Sequence, residues 1–129
     1  MIAGKEREYC KHFFDKIISN SGAITPQDLD HYALAYSQPG AIRASLEVYR
    51  AFEQDAEENK AWLMDNGRLG VPSLLMMADQ FLLADIAEGM TDEYHEDPEI
   101  LTIHDCGHYI AEEQPEEFVK GVLDFIGRH

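Results

Sequence analysis

Apolar residues in the first half of the chain recur at helical spacing. Tyr9, Cys10, Phe13, Phe14, Ile17 and Ile18 occupy the i, i+3 and i+4 positions of one face, which predicts a helix. Asn20-Ser21-Gly22 has the turn chemistry to end it. Thr25 is placed to cap a second helix, with Pro26 at its first position and Asp28 in its first turn. Ser37-Gln38-Pro39-Gly40 breaks the pattern again. A third helix is expected from about Ala41, with Ile42, Leu46, Tyr49 and Phe52 along its stripe, running through an acidic stretch to Trp62 and Leu63.

The period changes after Asn66-Gly67 and Gly70. Val71-Pro72-Ser73-Leu74-Leu75-Met76-Met77 is a short continuous apolar run, the pattern of a strand buried on both faces of a parallel sheet. Phe81 to Met90 reads as a helix with Phe81, Leu82, Ile86 and Ala87 inward, and Glu99-Ile100-Leu101-Thr102-Ile103 as a second strand. Pro115 opens a final helix whose expected buried stripe is Phe118, Val119, Val122, Leu123, Phe125 and Ile126. Glu116 and Glu117 suit its first turn and Arg128 its last. The Phe13-Phe14 and Met76-Met77 pairs read as core packing.

Strand, helix, strand, helix is the repeating unit of a parallel sheet with a right-handed crossover. The fold class is therefore α/β and mostly helical, with a helical segment at 1–55 and a sheet-bearing segment at 56–129. Two strands are not enough, because a strand apolar on both faces needs neighbours beside it and helices on either side. The sheet is expected to be a remnant that wants strands this chain does not contain. Its open edge would then pair with a second copy of the chain or with another partner.

Composition narrows the function classes. At 129 residues the chain is one compact domain at most by length, and 45% hydrophobic with 27% charged is globular composition. Against 25 Asp+Glu stand 10 Lys+Arg, a formal charge of −15, which argues against nucleic acid or an anionic membrane as partner. The acidic clusters, Glu112, Glu113, Glu116 and Glu117 among them, read mostly as solvated faces. No apolar h-region follows Met1, and the tract from Val71 to Ala87 is broken by Asp79, Gln80 and Asp85. Cys10 and Cys106 are too few for a disulfide scaffold, so a cytoplasmic chain with both thiols free is expected.

Candidate chemistry gathers between His104 and Glu117, after the second strand and before the last helix. That is the carboxyl end of the sheet, where open α/β sheets place ligands. Gly107 allows a sharp turn beside His108, whose imidazole suits a general base near neutral pH. The alternative is a histidine that merely satisfies a loop. A metal set of His104, Cys106, His108 and Glu112 is disfavoured: the histidines stand four apart in a strand-turn rather than on one helix face. No metal and no cofactor are expected.

The run Cys106-Gly107-His108-Tyr109-Ile110-Ala111-Glu112-Glu113-Gln114-Pro115 resembles the closing motif of cap-bearing α/β-hydrolases, the branch with epoxide hydrolases and haloacetate dehalogenases. Residues 33–51, around Tyr36-Ser37-Gln38-Pro39-Gly40 and Tyr49-Arg50-Ala51, look like the return from that family's helical cap. Gly4-Lys5-Glu6-Arg7-Glu8 is similar to an earlier cap segment. The resemblance implies a partial α/β-hydrolase fold, made of cap helices and the C-terminal part of the core. It also implies a two-step reaction: an Asp carboxylate attacks carbon to form an ester, and a His-activated water hydrolyses it. His108 would be the activating base. Tyr49 would be a cap tyrosine donating to an epoxide oxygen, although it could equally be a core aromatic beside Ile42, Leu46 and Phe52. The family's nucleophile elbow needs glycines two residues before and two after it, and no two glycines here are four apart. Phe81 stands roughly where many members carry the acid that orients the His, and Asp79, two residues early, is the substitute candidate. The chain is thus expected to be inactive alone, serving a small epoxide or haloacid only if a missing half completes it.

Overall fold

The computed structural model describes residues 2–129; Met1 and the Asp85 side chain lie outside the description. In chain order the elements are α1 (Glu6–Ile17), α2 (Pro26–Tyr36), α3 (Ala41–Asn66), β1 (Leu74–Ala78), α4 (Ala84–Tyr94), β2 (Glu99–Ile103), α5 (Ile110–Glu113) and α6 (Pro115–Ile126). They form two compact units rather than one. The helical unit runs up to Lys16 and from Ile24 to Gly67; the sheet unit takes Ile17–Ala23 and Arg68–His129. The units part at Gly67, not after residue 55, because α3 passes through residue 55 as one continuous helix.

In the helical unit, the Thr25 hydroxyl accepts from the Asp28 N–H at 3.2 Å while the Asp28 carboxylate accepts from the Thr25 N–H at 2.9 Å. This reciprocal cap and Pro26 start α2 where expected. Tyr9 packs edge-on against Phe13 at 5.0 Å and tilted against Tyr36 at 6.0 Å, with Cys10 and Leu29 buried. Helix α3 buries no residue, and beyond Phe52 only Leu63 is even half-buried.

The sheet unit is built on β1 and β2, paired in parallel from Leu74↔Glu99 to Ala78↔Ile103. β1 begins at Leu74 rather than Val71, since Pro72 has no N–H to give a ladder and Val71 is exposed. The turn after β1 delays α4 to Ala84 and leaves Phe81 outside the helix. Leu82 and Ile86, expected inward, are exposed. Helix α6 lies on the sheet through Phe118, Gly121, Val122 and Phe125, but Val119, Leu123 and Ile126 are turned outward. A Cβ at Gly121 would stand 2.5 Å from Leu101 Cδ2 and 2.7 Å from Met76 Cε, the far ends of two flexible side chains. The core itself is small: Ala78, Ile103 and Cys106, with Phe81, Leu101 and Ile110 packed on it. Of β1 only Ala78 is buried, and of β2 only Ile103.

Candidate active site

Both strands end in the same loop cluster. Asp79 N–H donates to Ile103 O at 3.0 Å and Gln80 N–H to Cys106 O at 3.1 Å, so the turn after β1 is tied to the turn after β2. The Gln114 side chain adds bonds to the carbonyls of His104 and Asp105. Asp105 takes the left-handed conformation, φ 53°, so the sharp turn is made there and not at Gly107. Gly107 is required for a different reason, which is close approach. A Cβ on it would meet Ser19 N at 2.7 Å, Ile17 O at 2.8 Å and Glu113 Oε1 at 2.9 Å.

Three successive amides around the candidate base are held. Gly107 N–H donates to Glu113 Oε2 at 3.1 Å, His108 N–H to Ile17 O at 3.0 Å, and Tyr109 N–H to Glu113 Oε1 at 3.1 Å. The imidazole is exposed and lies over Phe81, ring centroids 4.4 Å apart at 34°, with Tyr109 edge-on at 5.1 Å. It borders an apolar recess of about 310 Å³ walled by Met76, Met77, Phe81, Leu83, Ile86 and Ile110. Among the described residues no hydrogen bond reaches the ring itself. A histidine so placed has a fixed backbone and an apolar wall on one side.

Asp79 does not orient it. Its Oδ2 lies 3.0 Å from His104 Nδ1, and its Oδ1 is 3.4 Å from the Cys106 amide. Burial acts to raise the Asp79 pKa, but the hydrogen bonds from His104 and from the Cys106 and Asp105 amides outweigh it and hold the carboxyl low. Asp28 is held low by the Thr25 hydroxyl and amide, and Glu99 by His129 and Arg128. A carboxyl depressed on folding stabilises above its unfolded pKa and stops doing so as pH falls through the folded value. The midpoint of urea unfolding should therefore fall as the buffer is taken from about pH 5 into the more acidic range.

Cys106 is fully buried, and burial, helped by the charges of Glu113 and Asp79, pushes its thiol up to about 11. That is a packing thiol rather than a nucleophile or metal ligand. Among the described residues no three His, Cys, Asp or Glu side chains converge as a metal set. Among the described residues no helix is long and apolar enough to cross a membrane. Tyr49 belongs to the helical unit, where it is 56% exposed on α3 beside Phe52 at 5.3 Å, so it is not a core aromatic.

Glu113 is the residue that charge patterning hid. It stands among acids that read as a solvated face, yet it is 5% exposed. Its position four residues after Tyr109, the residue that precedes α5, carried a local signal: an acid one turn on can reach back to the amide at the helix start.

No family model matches the chain. Individual relatives do. It is 27% identical over 120 residues to a soluble epoxide hydrolase of Corynebacterium sp. (strain C12), covering 92% of this chain and 41% of that protein. The crystal structure of Cfl2 from Burkholderia cenocepacia superimposes with a TM-score of 0.86 at 35% identity, over 96% of this chain and 42% of that one. The epoxide hydrolase CorEH superimposes with a TM-score of 0.84 at 25% identity, over 98% and 44%. Over nearly its whole length the chain is similar to epoxide hydrolase-like α/β-hydrolases. It spans about two fifths of the length of these relatives. Its fold is a partial α/β-hydrolase fold, mostly helical with two parallel strands.

Proposed function

We propose that this chain carries the water-activating base of an epoxide hydrolase-like hydrolysis, with His108 as the base. The observation that supports this reading is the placement of His108 at the carboxyl end of β2, its three consecutive amides tied down and its ring on the rim of an apolar recess. An Asp on an elbow outside these 129 residues would open a small epoxide, or displace halide from a haloacid, to give an ester. His108 would take a proton from water, and the hydroxide would cleave that ester. Tyr49, exposed on α3, would donate to the epoxide oxygen as it becomes an alkoxide.

On this reading the chain alone is catalytically silent, because nucleophile and oxyanion donors are absent from it. The test is complementation. The purified chain should turn over neither an epoxide nor a haloacid. Supplying the elbow-bearing portion of a relative, in trans or as a fusion, should produce turnover. Hydrolysis by the chain alone would overturn the reading.

A second reading, a non-catalytic remnant that associates through its uncovered surfaces, is favoured by the outward apolar side chains. Leu82 is 89% exposed, and Val119, Leu123 and Ile126 form a stripe on the outer side of α6. Sedimentation of the isolated chain distinguishes the two. A concentration-dependent dimer that persists, without activity, after complementation supports the remnant; a monomer opposes it.

A further inference from the structure

Glu113 is the one charged side chain among the described residues that is buried, and no cationic side chain pairs with it. Its charge is met instead by four backbone N–H groups. Oε2 accepts from Ser19 at 2.8 Å, Asn20 at 2.9 Å and Gly107 at 3.1 Å, and Oε1 accepts from Tyr109 at 3.1 Å. A buried carboxylate is tolerated only when its lone pairs are satisfied, and four amide dipoles aimed at it do that. Two of the donors flank His108 directly; the other two come from a segment 94 and 93 residues earlier in the chain.

We infer that Glu113 is a positioning residue for His108: its carboxylate takes the amides on both sides of the base and fastens them to the Ser19-Asn20 segment, fixing where the imidazole points. The segment closes the arrangement from its own side, because Ile17 O accepts the His108 amide. Every backbone donor from residue 107 to 109 is thereby committed, and the ring has only its own side-chain rotations left. The orienting role that Asp79 does not fill is taken over, for the backbone, by a carboxylate that never touches the ring. The catalytic sense of this inference rests on reading His108 as the base. The geometry itself does not.

Glu113→Gln is the discriminating variant. A carboxamide has one acceptor oxygen, and turning it to the three donors of Ser19, Asn20 and Gly107 leaves its NH2 against the Tyr109 N–H. In the full chain, the Tyr109 amide should then exchange at least about tenfold faster while the other three stay slow. The His108 Cε1–H resonance should move as the ring leaves Phe81, with those of His95 and His104 unchanged. Ile103→Val, which trims the core without touching the carboxylate, should lower stability and leave the His108 resonance in place. Wild-type values for both the Tyr109 exchange and the His108 resonance in Glu113→Gln would overturn the inference. Should that variant fail to fold, the wild type decides: the Ser19, Asn20, Gly107 and Tyr109 amides must be protected well beyond Ser21, and exchange at the Ser21 rate would overturn it equally. Full turnover by His108→Ala in the complemented protein would remove the catalytic reading while leaving this clamp standing.

Discussion

In the complemented protein, His108→Ala should stop hydrolysis at the ester. On the proposed mechanism the first step would use an Asp nucleophile and a donor to the leaving oxygen, neither of which is His108. The second needs a proton removed from water, and positioned general bases contribute on the order of 10²–10⁴ in rate. Turnover should fall by about a thousandfold, within that range, while the alkylated enzyme accumulates. Intact-mass spectrometry after mixing with an epoxide should show a gain equal to the mass of the substrate, and alkaline hydroxylamine should remove it. Unimpaired turnover would show that another group activates the water. Loss of activity with no adduct would place His108 before the ester.

Gly107→Ala should be the most damaging small substitution in the sheet unit. The added methyl would meet the Ser19 nitrogen at 2.7 Å and the Ile17 carbonyl oxygen at 2.8 Å. Both are backbone atoms already engaged, one with Glu113 and the other with the His108 amide. Neither can retreat without breaking the bond it makes, so overpacking and lost hydrogen bonds add to about 3 kcal/mol or more. Against a typical total of about 5–15 kcal/mol that is a large fraction, visible as a lower urea midpoint. Gly121→Ala is the control. There the methyl meets the far ends of Leu101 and Met76, which can swing aside, and alanine regains about 1 kcal/mol of helix propensity. Gly121→Ala should stay within about 1 kcal/mol of wild type. A Gly107→Ala midpoint no lower than that of Gly121→Ala would mean that the close approach around residue 107 is absent in solution.

Local signals carried most of the fold. Thr25, Pro26 and Asp28 announced α2, and Glu99–Ile103 was legible as a strand to the residue, because capping and β-branched runs are decided within a few positions. The run apolar on both faces led to an expectation of further strands; β1 and β2 themselves are mostly half-buried. Which side of α4 and α6 faces inward was not. Leu82, Ile86, Val119, Leu123 and Ile126 have the residue types of a core, but burial depends on what lies opposite, and the described residues leave them exposed. At the site, His108 stood out through its glycine and its place after a strand. Glu113 did not, because two of its four partners are remote in sequence, and a chain read from end to end shows an acid among acids. Asp79 was a candidate because it stands two residues before the place where the resembling family carries its acid, and the fold brings it to His104.

The path of the chain has a consequence for recombination between relatives. Ile17–Ala23 leaves the helical unit, joins the sheet unit and returns, so the exchange of one unit for another requires three junctions, at Lys16/Ile17, Ala23/Ile24 and Gly67/Arg68. A chimera spliced at Gly67 alone would mate the seven-residue visitor of one parent with the acidic anchor of the other. Libraries built on a single crossover should therefore enrich for parents that agree in that short stretch, however far their helices have diverged.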